Sequence, residues 1–142
     1  MTLREQIGQL FMIGFTGTTV TKDLASFLTA SKPGGVIFFR RNLESVQQIV
    51  DLTNGLQKLS PAQPLLIAID QEGGIVARLR EGFTESPGAM ALGAADSETL
   101  AEQVAAALGA ELYALGINFN LAPVVDIGHD SSNPVIRTRT LG

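Results

Sequence analysis

Short apolar runs that end on a carboxylate are what most narrows the folds open to this chain. Leu65, Leu66, Ile67, Ala68 and Ile69 run directly into Asp70, followed by Gln71, Glu72, Gly73 and Gly74. A continuous apolar run of this length, bounded by turn-forming residues, reads as a strand buried on both faces, the kind found in parallel sheets. Parallel sheets bind ligands at the carboxyl ends of their strands. Asp70 therefore stands where a site is expected, although an acid there can also open a turn or cap a helix. Glu72 shares a face with Asp70 if the extended geometry continues. Gly73 and Gly74 permit positive φ and close approach of the backbone.

The pattern recurs. Residues 117–125 are expected to form a strand ending on Asp126, with regular pairing stopping near Ala122 because Pro123 lacks a ladder donor. Two earlier strands are expected at residues 10–15 and 36–39. Between them the period changes to that of helices. A short helix is expected over residues 2–9, and a second over 21–30 with Thr21 as its cap. A third is expected over 43–59, capped by Asn42 and burying Val46, Ile49, Val50, Thr53 and Leu56. Asp96 or Ser97 caps a fourth, striped by Leu100, Val104, Leu108, Leu112 and Leu115 and closed by Gly116. Residues 75–87 show no helical stripe and read as an extended excursion or hairpin.

Strand and helix thus alternate four times, which specifies an α/β fold with a parallel sheet and right-handed crossovers. Two closures fit: an open doubly wound sheet, or a (β/α)₈ barrel of roughly 250 residues, of which 142 residues would be the N-terminal half. In the third strand Leu66, Ala68 and Asp70 share a face; in the fourth, Asn120, Ala122, Val124 and Asp126 do. Small residues behind a terminal acid suit a barrel interior with its mouth at the strand ends.

Charge and cysteine content exclude several functions. A net charge of −4 with scattered Lys and Arg offers no nucleic-acid surface. No cysteine is present and His129 is the only histidine, so neither thiolate nor histidine-cluster metal sites are available, and no metal or cofactor is expected. No apolar run is long enough to span a membrane or serve as a signal peptide, so a cytoplasmic protein with no membrane partner is expected. The loops after strands two to four carry Arg40, Arg41, Arg78, Arg80, Arg137 and Arg139, and with the terminal acids they can form a rim that hydrogen-bonds a polar substrate such as a sugar. Arg40, Arg41, Arg80 and Arg137 are read as solvated. His129 and Asp130 are read as a polar loop rather than a dyad, and Asn118, Asn120 and Asn133 as hydrogen-bonding scaffold.

Taken in order, several segments resemble glycoside hydrolase family 3, and within it the β-N-acetylglucosaminidases of bacterial peptidoglycan recycling. They are Ile7-Gly8-Gln9-Leu10-Phe11-Met12-Ile13-Gly14-Phe15 and Pro33-Gly34-Gly35-Val36-Ile37-Phe38-Phe39, then Ile69-Asp70-Gln71-Glu72-Gly73-Gly74 with Val76-Ala77-Arg78-Leu79. Asn120-Leu121-Ala122-Pro123-Val124-Val125-Asp126, Asn133-Pro134-Val135-Ile136 and Arg139-Thr140-Leu141-Gly142 complete the set.

The resemblance implies a (β/α)₈ barrel that hydrolyses terminal β-N-acetylglucosamine residues with retention, one carboxylate forming a glycosyl-enzyme and a second group protonating the leaving oxygen. It gives those two roles to residues on later elements, expected beyond Gly142, so no residue of this chain is assigned as catalytic. It implies that Asp70 holds sugar hydroxyls, that Arg78 and Arg139 line the same pocket, and that Asp126 lies near it. The expected partner is a carbohydrate, an N-acetylglucosamine-containing muropeptide or disaccharide. All 142 residues are expected to be the N-terminal part of one catalytic barrel, inactive alone and prone to self-association. A β-glucosidase of the same family, and a complete flavodoxin-like or receiver-like module without hydrolase activity, are the alternatives.

Overall fold

A computed structural model describes residues 1–126 and 133–141. The chain divides into two compact units, one formed by Met1–Ile69 with Tyr113–Phe119, the other by Asp70–Leu112 with Asn120–Gly142.

The first unit holds the sheet. Its strands are β1 (Met12–Gly14), β2 (Gly35–Phe38), β3 (Leu66–Ile69) and β4 (Phe119–Asn120), the last ending at the boundary of the second unit. β1 pairs in parallel with β2 and β2 with β3, in a register that sets Val36 beside Ile67 and Phe38 beside Ile69. The neighbour order is β1-β2-β3-β4 and the sheet is not closed. A doubly wound sheet reverses its strand order at a switch point; this order never reverses, as in a barrel. The flavodoxin-like and receiver-like alternatives fail on that order.

Helix α1 (Leu3–Gly8) precedes β1, and α2 (Lys22–Ser31) and α3 (Val46–Gln57) connect β1 to β2 and β2 to β3. Thr2 and Thr21 cap the first two, each hydroxyl accepting a backbone N–H of the first turn. Val36, Phe38, Ile67 and Ile69 are wholly buried, with Leu52 and Leu56 of α3 among the core residues.

Two expectations about α3 need correction. Its cap is Ser45, whose hydroxyl accepts from Gln48 N at 3.2 Å. Asn42 instead ends a 3₁₀ turn over Arg40–Asn42 and is wholly buried. Its Oδ1 accepts from Phe39 N at 2.9 Å, and its Nδ2 donates to Phe15 O and Gly17 O at 3.2 and 2.8 Å. The later start rotates the buried stripe to Ile49, Leu52, Thr53 and Leu56, and Val46 lies exposed. Asn42→Ala leaves these backbone groups without that partner inside the fold. Water entering the vacated space restores some of the bonding, so the expected loss is about 1.5 kcal/mol. Thermal unfolding followed by circular dichroism measures it, and an unchanged midpoint would mean that Asn42 does not hold these segments together.

The fourth strand is also shorter than expected, two residues in place of nine. Asparagine side chains supplement a backbone bond, Asn118 N to Ile67 O at 3.2 Å, along β3 and the residues flanking it. Asn118 accepts from Ile67 N at 2.8 Å and donates to Leu65 O at 3.0 Å. Asn120 accepts from Gln71 N and donates to Gln71 O, each at 3.0 Å. Pro123 then supplies no donor.

The second unit contains α4 (Ala89–Ala95) and most of α5 (Glu98–Ala114). The sequence reading missed α4, whose alanines and single Leu92 draw no apolar stripe. Ser97 caps α5 as expected, accepting from Leu100 N at 3.3 Å, while Asp96 takes the left-handed position that ends α4. Among the described residues, no helix is long and apolar enough to cross a membrane.

Candidate carbohydrate-binding site

Asp70 directly follows β3, as the sequence implied, and the next residues fold back on themselves. Glu72 N donates to Val76 O at 2.9 Å and Val76 N to Gly73 O at 3.1 Å. Gly73 and Gly74 turn this bend with φ of 87° and 56°. A Cβ on Gly73 would lie 2.6 Å from Ser86 Oγ, so the position requires glycine both for its dihedral and for the approach of the neighbouring segment.

The bend returns Arg78 to Asp70, and Gln71 holds it there. Gln71 is buried, and its Oε1 accepts from both Arg78 N and Leu79 N, at 2.8 and 3.1 Å. Its Nε2 donates to Leu79 O at 2.8 Å. One side-chain amide thereby acts as a strand partner for residues 78–79. The Arg78 guanidinium then donates from Nη2 to Asp70 Oδ2 at 2.8 Å, with both side chains partly exposed.

A second ion pair lies in the same unit. Arg139 Nε donates to Glu72 Oε2 at 2.9 Å and Nη2 to Oε1 at 2.8 Å, a bidentate pair whose carboxylate side chain is only 8% exposed. Hydrogen bonding to Glu72 raises the Arg139 pKa further above its ordinary value, opposed by burial. The charges of Glu72, Asp70 and Asp126 act in the same upward direction. Asp126 is exposed. The four residues singled out in the sequence therefore divide into a direct pair, Asp70–Arg78, and an electrostatic group around Arg139 that includes Asp70 and Asp126. Glu72, given no role of its own by the sequence beyond sharing a face with Asp70, is the direct partner of Arg139. The signal that could have found it was its place inside the Asp-Gln-Glu-Gly-Gly motif.

Two arginines read as solvated make specific bonds instead. Arg41 Nε donates to Phe15 O at 2.9 Å while its guanidinium lies 4.7 Å over the Phe39 ring. Arg80 Nη2 donates to Gly74 O at 3.0 Å and braces the glycine bend. Asn133 is scaffold, its Oδ1 accepting from Val135 N and Ile136 N at 3.0 and 3.3 Å. His129 and Asp130 lie outside the described residues.

A cavity of about 500 Å³ opens in this unit, lined by Leu92, Val104, Leu108 and Pro123 among others, with Glu72 and Arg139 also contributing. Neither Asp70 nor Arg78 lines it. Its walls are mainly apolar, whereas a sugar needs donors and acceptors. The charged cluster therefore has donors and acceptors suited to a sugar: the carboxylates of Asp70 and Asp126, which can accept hydrogen bonds from hydroxyls, and the guanidiniums of Arg78 and Arg139, which can donate to hydroxyl or carbonyl oxygens.

Comparison with known proteins finds carbohydrate-hydrolysing relatives. Residues 2–142 match the glycosyl hydrolase family 3 N terminal domain. The chain is 43% identical over 131 residues to beta-hexosaminidase A of Pseudoalteromonas piscicida, covering 87% of this chain and 22% of that protein. It is 38% identical over 130 residues to a beta-hexosaminidase of Alkalilimnicola ehrlichii, of which it covers 37%. The chain thus spans well under half the length of these relatives. Among solved structures, a family 3 β-N-acetylglucosaminidase from Paenibacillus sp. str. FPU-7 superposes with a TM-score of 0.95 at 47% identity, covering 100% of this chain and 28% of that one. NagZ from Neisseria gonorrhoeae, solved in complex with N-trifluoroacetyl-D-glucosamine, gives 0.83 at 36% identity, covering 92% and 40%.

Proposed function

This chain belongs to the family 3 glycosyl hydrolases, matching their N-terminal domain over residues 2–142, and from that premise we propose that it is the sugar-recognising part of a β-N-acetylhexosaminidase. The longer protein removes terminal non-reducing β-N-acetylglucosamine residues by a retaining mechanism. The 142 residues form the N-terminal part of a single catalytic barrel. The substrates are disaccharides or muropeptides from peptidoglycan, and the compartment is the cytoplasm.

The observation that carries this reading is the Asp70–Arg78 pair, held by Gln71 at the carboxyl end of β3. Asp70 accepts hydrogen bonds from ring hydroxyls through its carboxylate oxygens, and Arg78 and Arg139 donate to substrate oxygens. Asp126 adds negative charge beside Arg139. None of these residues takes the nucleophile or acid/base role, which belongs to the rest of the barrel. The full-length protein is expected to release nitrophenol from 4-nitrophenyl N-acetyl-β-glucosaminide and not from the corresponding β-glucoside. Preference for the glucoside would replace this reading with that of a β-glucosidase.

The open sheet supports a second expectation. Leu66, the first residue of β3, is 46% exposed although Ala68 on the same face is buried, and the sheet is not closed. Such a surface with unpaired strand edges favours association. The isolated 142-residue chain is expected to elute from size exclusion as dimers or larger species and to lack hydrolase activity. A monomer that turns over the N-acetylglucosaminide would contradict it.

A further inference from the structure

We propose that Glu72 is a positioning residue for sugar recognition: it grips the Arg139 guanidinium by its Nε–Nη2 edge and so determines which donors face the substrate. This rests on the functional reading above, in which Arg139 touches the sugar.

Three observations carry the inference. The first is the geometry of the pair. Two parallel bonds of 2.9 and 2.8 Å join a planar carboxylate to one edge of a planar guanidinium, so neither plane can turn without breaking both. The second is that Glu72 is itself immobilised. Its N–H is tied to Val76 O, and the glycine bend beyond it packs against Ser86, with Gly74 N donating to Ser86 O at 2.9 Å. The third is the donor count. A guanidinium has five N–H donors. Nε and Nη2 each give one to Glu72 and Nη1 gives one to Val135 O at 3.2 Å, three in all. Among the described residues this leaves two, one on each terminal nitrogen, to meet hydroxyl or amide-carbonyl oxygens of an N-acetylhexosamine.

The burial of Glu72 also separates it from the other carboxylates. Asp70 is partly exposed and Asp126 exposed, so both can meet a ligand. Glu72 is nearly covered and both of its oxygens are engaged by Arg139. It therefore acts through Arg139.

The test uses the full-length protein and steady-state kinetics on 4-nitrophenyl N-acetyl-β-glucosaminide. Glu72→Gln keeps the size of the side chain but gives up the charge and one acceptor. It is expected to raise KM about 30-fold while kcat falls less than about 3-fold, the pattern of lost binding that is common to ground and transition state. Glu72→Asp restores the charge one methylene short and is expected to fall between the wild type and Glu72→Gln. In an Arg139→Met background, Glu72→Gln is expected to change KM by less than about 2-fold, because its effect passes through the arginine.

A purely structural glutamate would lower the melting temperature and kcat together and leave KM in place; that result overturns the proposal. Additive effects of the two substitutions overturn it as well. If the wild type does not turn over the N-acetylglucosaminide at all, the functional reading fails first and this inference with it. Normal wild-type turnover with an unchanged KM in Glu72→Gln rejects the positioning role alone.

Discussion

Full-length protein carrying Asp70→Asn is expected to lose about 100-fold in kcat/KM on a β-N-acetylglucosaminide, while its stability changes by less than about 1 kcal/mol. The two magnitudes have separate origins. Asp70 and Arg78 have side chains 22% and 30% exposed, so their ion pair is screened by solvent and contributes little to the fold. The loop does not depend on it, since Gln71 holds the backbone of residues 78–79 independently. A charge-assisted hydrogen bond to a bound hydroxyl is different. A bound sugar displaces water from the carboxylate, and loss of the anion there costs about 1.5–3 kcal/mol, or roughly 10- to 150-fold in rate. Kinetics beside a thermal melt measures both quantities. A variant with normal kcat/KM and a lowered melting temperature would make Asp70 a structural acid and remove the basis of the proposed function.

The second large effect is expected at Gly93, within α4. Replacing a helical glycine by alanine ordinarily stabilises by about 1 kcal/mol. At this position an added Cβ would overlap the Leu141 carbonyl oxygen and lie 2.7 Å from its carbonyl carbon. Both sides of that contact are backbone, so no side chain can rotate away. Overpacking of this kind costs about 3 kcal/mol and outweighs the propensity gain, leaving a net loss of about 2 kcal/mol.

The displaced segment includes the 3₁₀ turn Arg137–Arg139, so Gly93→Ala is also expected to move Arg139 and lower kcat/KM by about 10-fold. Gly109 is the control. It lies inside α5 and an added Cβ there meets nothing within 4 Å, so Gly109→Ala is expected to stabilise by about 0.5–1 kcal/mol. Equal effects at the two positions, read from chemical denaturation, would refute the close approach of α4 to Leu141.

The strands show where sequence reading works. β2 and β3 are continuous apolar runs because both faces are covered, and burial of that kind is written in composition. β4 is expected from sequence, but not its shortness, because much of its bonding to the β3 segment runs through the side chains of Asn118 and Asn120. A side-chain amide that imitates a backbone leaves no apolar pattern. The cap of α3 escaped for a related reason. Asn42 and Ser45 are both good caps, and only the 3₁₀ turn that sends Asn42 inward decides between them.

The charged cluster divides along the same line. The order of elements, the parallel sheet, and the placing of Asp70 at a strand end follow from local pattern, because hydrophobic period and chain direction are properties of neighbouring residues. Pairing is not local. Arg139 reaches Glu72 across 67 positions, and Asp70 lies two residues from Glu72 yet binds Arg78 instead. Carboxylates so near in sequence are interchangeable to any reading of composition or spacing. What separates them is the bend at Gly73 and Gly74 and the packing of Ser86 against it, which leave one acid partly open to solvent and enclose the other. Sequence alone determined that acids and arginines would gather beyond β3. Only the tertiary structure decided which acid is paired with which arginine, because burial and the bidentate fit depend on segments that meet when the chain folds.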